Sequence, residues 1–103
     1  MIEKVTEYII SGEDYLKNLV TGDSLIINHV VMKPGQSFPA HVTENNVYII
    51  ISKGEISIKL DNQPAHAYKN GQMVSIPHGV VSGLSNPSEV QTELFVVKSI
   101  VKK

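Results

Sequence analysis

Residues that break regular structure recur in this chain at intervals too short for helices. Lys33-Pro34-Gly35, Lys53-Gly54, Asp61-Asn62-Gln63, Asn70-Gly71 and Asn86-Pro87-Ser88 separate apolar, β-branched runs, and Pro77 and Gly79 interrupt one more. Stops at roughly every eight to twelve residues are the rhythm of a sandwich or barrel. The runs are Leu25 to Met32, Val47 to Ser52, Glu55 to Leu60, Met73 to Ile76, Val80 to Leu84 and Val90 to Val101. Between Glu55 and Leu60 the residues alternate, with Ile56, Ile58 and Leu60 on one face, as in a half-buried strand. Asn70-Gly71 is a tight-turn pair because both residues tolerate positive φ.

One segment reads differently. From Glu13 to Val20 the apolar residues Tyr15, Leu16, Leu19 and Val20 fall at helical spacing. Ser11 suits an N-cap, Glu13 and Asp14 suit the positive end of a helix dipole, and Gly22 suits a stop. The spacing predicts one short N-terminal helix ahead of an all-β domain. With no linker, repeat or low-complexity tract, residues 1–103 read as a single domain.

Composition removes several function classes. Nine basic and ten acidic residues give a formal net charge of −1, and only Lys102 and Lys103 form a basic pair. No patch attracts a phosphate backbone, so nucleic acid is not an expected partner. The absence of cysteine excludes thiolate catalysis, disulfides and Cys-based zinc sites. The segment Met1 to Glu7 is too polar for a signal peptide, and the longest apolar stretch, Val47 to Ile51, is far short of a membrane span. The expectation is a cytoplasmic protein without a membrane partner.

Two patterns organise the centre of the chain: Gly35-x5-His41-x-Thr43-x3-Val47-x6-Gly54, and Gly71-x5-Pro77-x-Gly79-x2-Ser82-x3-Asn86. They resemble the paired signature motifs of the cupin superfamily, G-x5-H-x-H-x3-4-E-x6-G and G-x5-P-x-G-x2-H-x3-N. The resemblance implies a jelly-roll-like β-barrel, a double-stranded β-helix. It also implies where a divalent metal would sit, because in the family the histidines and the glutamate hold one inside the barrel. Carried across, His41 keeps the first ligand, but Thr43, Val47 and Ser82 stand at the other three positions. Neutral hydroxyls are weak ligands for a transition metal and valine is none. Losing the carboxylate also removes the charge that offsets a dication in a low-dielectric interior. No metal or other cofactor is therefore expected, and the reading leans away from an enzyme.

His29 could rebuild a site with His41. On the Leu25 to Met32 strand His29 shares a face with Leu25, Ile27 and Val31, while Asn28 shares one with Ile26, Val30 and Met32. Both faces are apolar, so alternation leaves open which of them points inward. His78 and His66 read as solvent-facing, and Glu44 reads as a loop acid. A Ser82–His41 dyad lacks a nucleophile elbow, an oxyanion hole and an orienting acid.

Three functions remain open. The first is a small molecule bound in a lumen lined by His41, Thr43, Val47, Ile49, Ser82 and His29, since apolar walls with few polar anchors characterise binding sites. The second is a metal-dependent enzyme with atypical ligands His41 and His29. The third is a scaffold or regulatory partner. Tyr48 and Ile50, opposite in direction to Val47, Ile49 and Ile51, would lie outside the barrel and need cover, from which a homodimer is expected.

Overall fold

A computed structural model describes residues 2–8 and 15–100, with the backbone alone at Tyr15. Among the described residues the elements are all strands: β1 Tyr15–Thr21, β2 Leu25–Met32, β3 Ser37–Val42, β4 Asn46–Lys53, β5 Glu55–Leu60, β6 His66–Lys69, β7 Met73–Ile76, β8 Val81–Ser85 and β9 Thr92–Ser99. They form a five-stranded sheet, β1-β2-β9-β4-β7, facing a four-stranded sheet, β3-β8-β5-β6. Every pairing is antiparallel. The two sheets enclose a core of Val30, Met32, Val47, Ile49, Ile51, Ile56, Ile58, Ile76 and Leu94. Among the described residues no helix is long and apolar enough to cross a membrane.

The expected N-terminal helix is corrected by β1. Tyr15–Thr21 is zipped onto β2, from Tyr15 opposite Val31 to Thr21 opposite Ile26, and the register slips between Asn18 and Val20. That slip explains the misleading pattern. Before it, even-numbered Leu16 and Asn18 stand opposite the even-numbered Val30 and Asn28; after it, Thr21 stands opposite Ile26. An extra residue reverses the in–out parity of a strand, and the shifted apolar residues then mimic helical spacing. A short isolated helix is marginal in water, whereas β2 offers this segment a full ladder of hydrogen bonds. Gly22 closes the β1–β2 turn, its N–H donating to Leu25 O at 2.9 Å, and does not cap a helix. Ser11, Glu13 and Asp14 lie outside the described residues.

The motif residues hold the sheets together. Asn86 is buried; its Nδ2 donates to Met32 O at 2.9 Å and Val90 O at 2.8 Å, and its Oδ1 accepts from Ser88 N at 3.1 Å. Its backbone pairs with the turn before β3, Gly35 N donating to Asn86 O and Asn86 N to Gln36 O. One side chain thus ties the β8–β9 loop to the end of β2. Gly54 has φ +81°, and a Cβ there would lie 2.6 Å from Thr92 Oγ1 and 2.9 Å from Gln91 O. The buried Thr92 hydroxyl occupies that space, donating to Glu55 O at 2.6 Å and accepting from Glu55 N at 3.1 Å.

On the outside of the five-stranded sheet, Lys17 reaches Glu7 O at 3.4 Å, bringing the segment 2–8 across β1. Tyr8 then covers part of the face around Phe95, with ring centroids 5.1 Å apart. Beyond it Ile50 and Met73, paired across β4 and β7, remain 39% and 58% exposed.

Among the glycines with positive φ, Gly54 and Gly71 separate backbone strain from steric exclusion. Gly71 also has positive φ, but its missing Cβ would meet nothing within 4 Å. Gly71→Ala should cost about 1–2 kcal/mol for the left-handed backbone alone. Gly54→Ala should cost about 3 kcal/mol or more, because Thr92 and the Gln91 carbonyl must also move. Urea denaturation of both variants measures the difference, and equal losses would contradict this packing.

Candidate ligand-binding lumen

Alternation along β2, β4 and β9 decides which side chains enter the barrel. The ladder sets Asn28 opposite Val96 and Val96 opposite Ile49; one step along, Ile26 stands opposite Lys98 and Lys98 opposite Val47. These residues share the inner face. Leu16, Val30, Ile49 and Val96, with Phe38 and Leu84 from the opposing sheet, form an apolar floor. Asn28, His41, Thr43 and Lys98 supply the polar part of the lining. The inner cavity holds about 100 Å³. It adjoins a wider groove of about 380 Å³ at the barrel mouth, where Glu44 and Asn45 join His41, Thr43, Val47 and Lys98.

Of the residues singled out from sequence, His41, Thr43, Val47 and Ile49 come together here. Their chemistry differs from position to position. The His41 ring is exposed at the rim, with Nδ1 3.5 Å from Pro39 O. The Thr43 hydroxyl is turned to structure: it lies 2.9 Å from Pro77 O and 3.1 Å from Val80 O, and accepts from Val80 N at 3.1 Å. It latches the first motif to the Pro77-x-Gly79 turn and leaves no free proton for a ligand. Ser82 pairs with His41 in the β3–β8 ladder and is buried, yet it lines neither cavity.

His29 is the main correction. It is 1% exposed, but its ring packs at a tilt against both Tyr8 and Phe95 at centroid distances of 4.8 and 5.0 Å, on the opposite face of β2 from Asn28. Its Nε2 lies 3.7 Å from Glu93 Oε1. The odd parity of residue 29 sends it outward with Phe95, so it does not share the lumen with His41. His66 and His78 are exposed, as is Glu44 at the mouth.

A divalent metal does not fit this lining. Among the described residues no three His, Cys, Asp or Glu side chains gather to hold an ion. Position 47, where the family pattern has a carboxylate, carries valine, and the cross-strand neighbour of that valine is Lys98. The site therefore holds positive charge where a dication needs negative charge.

Sequence reasoning missed Lys98 and left the direction of Asn28 open. The signal for both was parity: Leu94, Val96 and Lys98 alternate on one face of β9, as Asn28, Val30 and Met32 do on β2. Asn28 is further fixed by its neighbours. Thr21 Oγ1 donates to Asn18 Oδ1 at 2.9 Å, and Asn18 Nδ2 donates to Val20 O at 3.2 Å and Asn28 Oδ1 at 3.0 Å. This chain orients both amides. It engages the Asn28 oxygen, and Nδ2 is the donor end of this cavity-lining side chain.

The chain matches the cupin domain model over residues 28–98. It belongs to the cupin family. This cupin is 36% identical to an uncharacterised protein of Methanocaldococcus jannaschii over 100 residues, 96% of this chain and 86% of that protein. The crystal structure of that archaeal protein, described as an RmlC-like cupin with a double-stranded β-helix fold, superposes with a TM-score of 0.92 over 96% of this chain and 92% of that one. A cupin superfamily protein of Desulfitobacterium hafniense shares the fold at a TM-score of 0.78 and 14% identity, over 92% and 84% of the two chains. A cupin-like protein of Thermotoga maritima does so at 0.77 and 24%, over 85% and 69%.

The outward position of His29 has a pH consequence. Burial pushes its imidazole below the ordinary value of 6.5, and Glu93 offsets part of that shift. The unfolded chain then takes up the proton more readily than the folded one. Stability is accordingly lost as pH falls below 6.5, until the folded ring itself protonates. Urea denaturation at about pH 7.5 and about pH 5.5 should show a larger loss for the native chain than for His29→Gln, which does not titrate there. Equal losses would contradict this environment for His29.

Proposed function

We propose that this cupin binds a small organic molecule in its lumen and does so without metal catalysis. The observation that carries the reading is the division of the lining. An apolar floor of about 100 Å³ lies against a polar end where His41, Lys98 and the Asn28 amide face the same space. Preformed concave sites with a few placed polar groups among apolar walls are built for amphipathic ligands. The adjoining groove gives the ligand a route in and out. A metal-centred alternative would need His29 beside His41, and alternation along β2 places them on different faces.

A ligand that binds the native state raises apparent stability, by about 2.7 kcal/mol at a concentration near one hundred times its Kd. In a domain of this size each kcal/mol raises Tm by roughly 4–8 °C. Thermal-shift screening against sugars, short organic acids, alcohols and nucleotides should find stabilisers among compounds with a small apolar part. Leu16 lines the cavity yet is 57% exposed, so Leu16→Trp can narrow the lumen without overpacking the core. That variant should lose the shift. A shift that survives Leu16→Trp unchanged would place the ligand elsewhere and defeat the reading.

A further inference from the structure

We propose that the lumen is a receptor site for a short-chain organic monocarboxylate, its carboxylate held by Lys98 at the rim and by Asn28 one row deeper, and its hydrocarbon tail on the apolar floor. This inference rests on the lumen-binding reading above and adds the chemical class of the ligand.

The polar groups left unspent at the inner cavity are mostly donors. The Asn28 oxygen already accepts from Asn18, so its Nδ2 hydrogens remain. The Thr43 hydroxyl is engaged with the backbone of Pro77 and Val80. Lys98 contributes an ammonium, and either neutral tautomer of His41 carries one ring N–H. The second ring nitrogen of a neutral His41 accepts, but Lys98 and the Asn28 amide tip the balance towards donors and favour a ligand group that accepts. A carboxylate accepts several hydrogen bonds at once, and those from a charged donor are the strong ones.

Charge narrows the class further. Among the described residues the one ion pair found joins His29 to Glu93, on the outer face. Lys98, half-buried between Ile26 and Val47 in the ladder, thus has no carboxylate of the described residues within ion-pair distance. An ammonium against apolar walls gains from a counter-charge brought by the ligand. Glu44 lies in the outer groove beside Lys98 and is exposed. Its negative charge opposes a second anionic group at the mouth, which disfavours dicarboxylates and phosphates relative to a monoanion. An amine ligand would meet Lys98 directly.

Volume sets the tail. At the ~30 Å³ share of a water-sized group, or by proportion to the benzene held by a cavity of ~150 Å³, an inner cavity of about 100 Å³ accepts roughly three to four heavy atoms. Butanoate and 3-methylbutanoate fit this description. Affinity should rise about fourfold for each methylene from acetate to butanoate, in line with the transfer free energy of a buried CH2, and then level off.

Isothermal titration of the full chain with acetate, butanoate, 3-methylbutanoate, 3-methylbutan-1-ol, 3-methylbutan-1-amine and succinate tests the assignment. The expected order places butanoate and 3-methylbutanoate first, the alcohol of the latter's shape about tenfold or more weaker, and the amine and succinate weaker still. Lys98→Met keeps the length of the side chain and removes its charge. It should weaken 3-methylbutanoate about tenfold or more while leaving the alcohol unchanged or tighter, and Lys98→Arg should recover part of the loss. The alcohol result in Lys98→Met guards against misfolding as the cause. If the alcohol binds as tightly as the carboxylate, or Lys98→Met leaves the carboxylate affinity intact, the anion assignment is overturned and lumen binding stands. If neither compound binds, both fall.

Discussion

In–out alternation along β2, β4 and β9 is the constraint from which the rest of this molecule follows. It fills the barrel with Val30, Met32, Val47, Ile49, Ile51 and Leu94, and it sends His29 and Phe95 to the outside. The same parity brings Lys98 onto the inner face, next to Val47. A single residue of slippage in any of these strands would exchange the two faces and with them the chemistry of the lumen. The hydrophobic core and the polar rim are therefore one feature: the alternation that buries the isoleucines also positions the ammonium.

The family motifs survive here because their turn residues and their polar ends are structural. Asn86 ties the β8–β9 loop to β2, and Gly54 gives way to the Thr92 hydroxyl. Thr43, at a position where the family has a ligand, joins the two motifs through Pro77 and Val80. A side chain that satisfies buried backbone groups contributes to folding whether or not anything binds nearby. The punctuation and the metal site are thus separable. This chain keeps the former, and at position 47 it puts valine beside a lysine where a carboxylate would have faced an ion.

Much of the fold was legible in the sequence. The turn residues at Lys33-Pro34-Gly35, Lys53-Gly54 and Asn70-Gly71 mark the strand ends, and β2, β5 and β7 run between the residues expected. The barrel itself was legible from the spacing of the two motifs. What could not be read was direction. Leu25 to Met32 is apolar on both faces, so nothing local says whether His29 or Asn28 points inward; the β2–β9 register decides it. The Asn18–Val20 slip concealed β1 in the same way, by breaking the period that identifies a strand. For the site, His41 and Val47, read from the motif, and Ile49, read from alternation, line the cavity. Thr43 was recognised as a lining residue, but its hydroxyl partners lie more than thirty residues away in sequence. Lys98 escaped because Leu94 to Val97 is apolar on both faces and draws attention away from the charged residue that follows.

Elemental analysis of protein produced with manganese, iron, nickel and zinc in the medium tests the central claim most directly, namely that this lumen is a donor-lined apolar pocket and not a metal centre. The expected result is trace metal only, unchanged in His41→Ala. One transition-metal ion per chain, retained through purification and lost in His41→Ala, would contradict it.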